Sequence, residues 1–146
     1  MSFIKSFLSK MFSPFGYQGV INTQISIYNR LKRRAPQMPE NELLNHLTNS
    51  RIRSIPRVAS KEEEYAHYTL LLENSHKTLE DVIWAIVGYE FIQSRREELF
   101  AQGYKMGLST EEIFKQIGDF QARIKIDIKE SIKKKVKSGS ISRKSR

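Results

Sequence analysis

The chain has 146 residues, a formal charge of +9 and no cysteine. Its length is that of one ordinary domain, able to bury a real core. The missing cysteine excludes disulfides and thiolate metal sites and suits a reducing compartment, and no run reaches the ~18 apolar residues of a membrane span.

The chain opens MSFIKSFLSKMFSPFG. Residues 2–13 are expected to form a short helix, stopped by Pro14 because the residue before a proline avoids the helical region. PFGYQG is expected as a turn. Over residues 20–34, Ile21, Ile25, Tyr28 and Leu31 recur at helical spacing, while Ile21, Thr23, Ile25 and Ile27 alternate as in a strand. No second strand is evident to pair with it, so a helix is expected. RRAPQMP is a linker. Pro39 then starts a helix to about residue 53, with Leu43, Leu44 and Leu47 on one face. IPRVAS is a break.

Ser60 and Glu63 form a capping-box pattern opening a helix to about residue 75. Thr78, with Asp81 three residues on, opens the most apolar helix: Leu79, Val82, Ile83, Trp84, Ile86, Val87 and Phe91. That density predicts burial on most sides, at the centre of a bundle. Gly103 and Gly107 mark a break. Ser109 and Glu112 form a further capping box. Beyond it Ile113, Ile117, Phe120, Ile124, Ile128 and Ile132 run as one uninterrupted stripe. From about residue 137 the Ser/Lys/Arg-rich chain is expected to be disordered. The expected fold is all-α: an irregular bundle of about five helices (20–136), an N-terminal amphipathic segment (1–16) and a disordered basic tail (137–146).

Charge is distributed unevenly. Residues 1–39 hold six basic residues and no acid, residues 40–128 hold 11 basic against 15 acidic, and residues 129–146 hold eight basic against one acidic. The ends are therefore basic and the body mildly acidic, whereas a compact nucleic-acid-binding domain more often carries its basic surface on the body.

On a helix, Phe3, Ile4, Phe7, Leu8, Met11, Phe12 and Phe15 fill about half the circumference, opposite Ser2, Ser6, Ser9 and Ser13. Lys5 and Lys10 fall on the two boundaries, where their stems can cover apolar surface while their ammonium groups reach lipid headgroups. Three other readings stand beside this one: core packing against the bundle, an organelle presequence, and the anchor for a groove on a protein partner. The interrupted apolar run makes a poor secretory signal. At the other end Lys129, Lys133, Lys134, Lys135, Lys137, Arg143, Lys144 and Arg146 form a polybasic stretch, suited to anionic lipid or to nucleic-acid phosphates. Stable peripheral attachment usually takes two weak signals, and the chain carries an apolar one and a basic one. Serines 138, 140, 142 and 145 lie within or beside the tail charges. Their phosphorylation would lower the charge and act as a release switch, a hypothesis removed by a phosphomimetic tail that partitions unchanged.

GLSTEEIFKQIGDFQARIKIDI carries an Ser/Thr-Glu-Glu start, Ile113, Ile117, Gly118 and Ile124. In outline this resembles the helix-turn-helix of bacterial regulators, over about twenty residues. The resemblance implies Gln121, Arg123 and Lys125 as groove-facing residues. The stretch departs from the motif at Phe114, where a small residue belongs, and at Asp119 and Asp127, where apolar residues belong. One long helix is the expectation and the helix-turn-helix the alternative. Arg30, Lys32, Arg33 and Arg34, and Arg51, Arg53 and Arg57, form two further basic clusters, read as solvated helix ends or as a phosphate-binding face.

His46, His67 and His76 are the strongest general-base candidates. Glu64–His67 and Glu73–His76 match a di-iron spacing, but nine residues turn a helix by about 180°, so the two motifs would face apart. No phosphate loop, nucleophile elbow or HExxH pattern occurs. The sequence therefore reads as a non-enzymatic cytoplasmic interaction module without metal or cofactor, and no small-molecule substrate is evident. Its expected partner is an anionic membrane surface, a protein, or both, with nucleic acid as the alternative.

Overall fold

The computed structural model describes residues 16–54, 62–74 and 77–144, with 54, 62–65 and 137–144 described by backbone alone. Among these residues the chain is all-helical. Six α-helices follow in order: α1 (Gly16–Arg34), α2 (Glu40–Ser54), α3 (Glu62–Glu73), α4 (Leu79–Phe91), α5 (Arg96–Lys105) and α6 (Thr110–Lys144). A single 3-10 turn, Gln93–Arg95, joins α4 to α5. The helix expected at 2–13, the IPRVAS break and the Ser60–Glu63 box lie outside the described residues.

α4 packs against α1, α2, α3 and α6, as its apolar sequence predicts. Val82, Ile83, Ile86 and Val87 are wholly buried. Each large apolar side chain so buried contributes roughly 1.5–3 kcal/mol, which makes α4 the post around which the others assemble. Its start is the expected one: the Thr78 hydroxyl accepts from the Asp81 N–H at 3.0 Å. α6 also starts where its sequence says. The Glu112 N–H donates to Ser109 Oγ at 3.2 Å, and the Ser109 N–H donates back to Glu112 Oε1 at 3.3 Å. The stripe is core, with Ile113, Ile117, Ile124 and Ile128 buried and Phe120 and Ile132 packed at its edge.

Three expectations need correction. PFGYQG is not a turn throughout, because Gly16 to Gly19 form the first turn of α1. Tertiary contacts override two poor helix formers there: the Tyr17 ring meets Phe91 and Phe120 edge-on, at centroid separations of 6.3 and 5.7 Å. The apolar helix also ends at Phe91 rather than running toward Gly103. No glycine or proline marks that end. The Ser94 hydroxyl donates to the Glu90 carbonyl at 2.9 Å, competing with the regular ladder as the chain tightens into the 3-10 turn. Gly103 consequently sits inside α5. Finally, the helix-turn-helix alternative for 109–128 is overturned. α6 is one helix from Thr110 to Lys144, with no turn at Gly118.

Candidate functional site

The residues expected to meet a membrane, Phe3 to Phe15, lie outside the described residues, as does Arg146. Lys133, Lys134 and Lys135 are exposed on α6, while Lys137, Arg143 and Lys144 continue its backbone. Gln121, Arg123 and Lys125 do not form one reading face. Successive pairs are two residues apart, which turns the helix by about 200°. Arg123 lies 3.7 Å from Asp127, and the Lys125 ammonium sits 4.9 Å from the Trp84 ring centroid. Both cations are engaged within the fold.

Of the other basic clusters, Arg57 lies outside the described residues. Lys32, Arg33 and Arg34 form the last turn of α1, where cations complement the helix dipole. Arg51 is drawn inward, and its Nε donates to Glu90 Oε2 at 2.8 Å while a second guanidinium nitrogen bonds Oε1. The Tyr68 hydroxyl donates to the same carboxylate at 2.5 Å, and the Tyr68 ring stacks on Tyr89 at 4.4 Å. This network ties α2, α3 and α4 together. His46 and His67 are exposed, and among the described residues no group of three or more His, Cys, Asp or Glu could hold a metal ion.

The feature that bears on function is the seam between α1 and α6. Gln18, on the first turn of α1, donates from Nε2 to Ser131 Oγ at 2.9 Å and to Asn22 Oδ1 at 3.0 Å. One residue earlier, the Tyr17 hydroxyl donates to Asp127. Burial and the Asp127 carboxylate together push the Tyr17 phenol well above its ordinary range. Beside these bonds lies an open groove of about 260 Å³, lined by Gln18, Asn22, Asp127, Glu130, Ser131, Lys134 and Lys135. Ser131 is 9% exposed, whereas both lysines and Glu130 face solvent.

Lys134 and Lys135 were expected here as anion-binding residues, but Gln18, Asn22 and Ser131 were not. The one trace of Ser131 in the sequence is its position beside Ile132, in phase with the apolar stripe, where a polar residue needs a partner. No protein-family model, curated protein or solved structure matches the chain.

Proposed function

We propose that this chain is a non-catalytic helical module of the cytoplasm that attaches peripherally to an anionic membrane surface. Residues 3–15 supply an apolar insertion and the lysines at the end of α6 supply the charge. The bundle then carries a protein-binding face to that surface. One observation supports this reading above the rest. Gln18, two residues into the fold, is bonded to Ser131, two residues before the Lys133–Lys135 run. The apolar segment therefore joins the fold beside the basic end of α6, although the two are far apart in sequence. Two weak signals strengthen each other only if they can reach the same bilayer together, and this juxtaposition supports such an arrangement. Among the described residues no helix is long and apolar enough to cross a membrane.

The test is flotation with vesicles of phosphatidylcholine and phosphatidylglycerol at physiological salt. The full chain is expected to float. A chain lacking residues 1–15, and one carrying Phe7→Ser and Phe12→Ser, are expected to stay at the bottom. If the full chain also stays there, the reading fails. Nucleic acid bound through the tail is then the next candidate, recognisable by a steep loss of binding with salt.

A further inference from the structure

The geometry points to a phosphate-binding site in the groove between α1 and α6, built by Asn22, Ser131, Lys134 and Lys135. It deepens the membrane reading and rests on it for one of its two ligand sources, a lipid headgroup; the other is a free phosphate ester.

The hydrogen-bond chain along the seam sets which atoms face the groove. A carboxamide nitrogen has two N–H donors. Gln18 uses one on Asn22 Oδ1 and the other on Ser131 Oγ. Asn22, which lines the groove, has its oxygen occupied and keeps its own NH₂ to donate. Ser131 has its oxygen acting as an acceptor and keeps its O–H to donate. Neither donor has a protein acceptor among the described residues. Lys134 and Lys135 line the same groove, and neither has an ion pair among the described residues. Of the two carboxylates present, Asp127 is occupied by the Tyr17 hydroxyl and faces Arg123. Both carboxylates oppose an anion, and Glu130, which has no ion pair among the described residues, does so the more strongly.

Four groups with a donor to offer, two of them charged, thus line one open volume together with the Asp127 and Glu130 carboxylates. Water can hydrate the neutral donors and the exposed lysines, but it brings no negative charge to the latter. A phosphate satisfies both, since its oxygens accept several bonds at once and charge-assisted bonds are the strong ones. At about 30 Å³ per water, the groove holds such a group with part of its hydration shell. Glu130 tunes the site by repulsion.

The experiment uses the full, isotope-labelled chain. Inorganic phosphate is titrated against sodium chloride at matched ionic strength, reading the side-chain NH₂ resonances of Asn22 and Gln18 by NMR. Phosphate is expected to shift them saturably and chloride to leave them in place. Asn22→Ala, read at Gln18, and Ser131→Ala, read at Asn22, change no charge. Each is expected to weaken the titration about tenfold, as loss of a bond to an anion should. Glu130→Gln is expected to tighten it about threefold. Equal shifts in chloride, or a midpoint unmoved by both Asn22→Ala and Glu130→Gln, would overturn the site. Flotation with phosphatidylcholine–phosphatidic acid vesicles separates the sources. Vesicle binding weakened by Asn22→Ala makes the headgroup the ligand. Phosphate binding with vesicles indifferent to Asn22→Ala supports the site with free phosphate esters as ligand. Vesicle binding without any phosphate titration overturns the site and leaves the membrane reading standing.

Discussion

Thr48 lies on α2 among Leu44 and Leu47, is 2% exposed, and its hydroxyl has no hydrogen-bond partner among the described residues. A buried hydroxyl without a partner costs roughly 1–3 kcal/mol relative to an apolar group of the same shape. Thr48→Val keeps the shape and removes the hydroxyl. It is expected to stabilise the fold by about 1 kcal/mol, seen as a rise of a few degrees in Tm. A fall in Tm would mean that the hydroxyl has a partner. The three tyrosines hydrogen-bonded to carboxylates give a pH prediction of definite sign. Burial first, and then Asp127, Glu40 and Glu90, raise Tyr17, Tyr28 and Tyr68 respectively above their ordinary value. In the unfolded chain these phenols ionise near pH 10. Above that pH the unfolded state holds fewer protons than the native state, so stability falls as pH rises and is fully present below it. Denaturation midpoints should be flat up to about pH 9 and drop beyond pH 10. The triple Tyr→Phe variant at these positions should show a shallower drop.

The helices make opposite demands on two glycines. Gly107 has φ +83° and follows α5. The Leu108 N–H reaches back to the Gly103 carbonyl and the Gly107 N–H to the Tyr104 carbonyl, both at 3.0 Å, which is a Schellman cap. Gly107→Ala is therefore expected to destabilise by about 1 kcal/mol, and the cause is backbone strain, since a Cβ there would touch nothing. Gly118 lies inside α6, and a Cβ there would also meet nothing within 4 Å. Gly118→Ala is expected to stabilise by up to about 1 kcal/mol through helix propensity alone. Paired thermal melts check both signs, and a destabilised Gly118→Ala would argue for a turn in α6 after all. These two positions also show what the sequence could reveal. Element starts were legible wherever a local side-chain bond makes them, as at Thr78 and Ser109. The end of α4 and the early start of α1 were not. They depend on Ser94 bonding one turn back and on Tyr17 meeting rings from α4 and α6, and no local residue pattern announces such contacts.

At the scale of the molecule, the apolar opening and the basic end were legible as composition, but the contact that seats the start of α1 against α6 was not. The bond between Gln18 and Ser131 spans 113 residues, and nothing in either neighbourhood names the other. Under the proposed membrane attachment, that contact has a measurable consequence. If both signals reach one bilayer from the same part of the fold, their contributions combine, and the second contact forms at high effective concentration once the first is made. Removing residues 1–15 and replacing Lys133, Lys134 and Lys135 by Gln should each weaken vesicle partitioning, and the double change should lose about the product of the two. Salt separates the parts. Each lysine near an anionic surface contributes roughly 1 kcal/mol, a term that fades as the Debye length shrinks from about 10 Å at 0.1 M to 3 Å at 1 M. Apolar insertion does not fade this way. The truncated chain should therefore be the most salt-sensitive and the triple Lys→Gln chain, which keeps Lys129, Lys137, Arg143, Lys144 and Arg146, the least, with the full chain between them. A triple Lys→Gln chain that binds as well as the full chain at every salt concentration would remove Lys133, Lys134 and Lys135 from the attachment, and the position of α1 beside this part of α6 would then have no part in it.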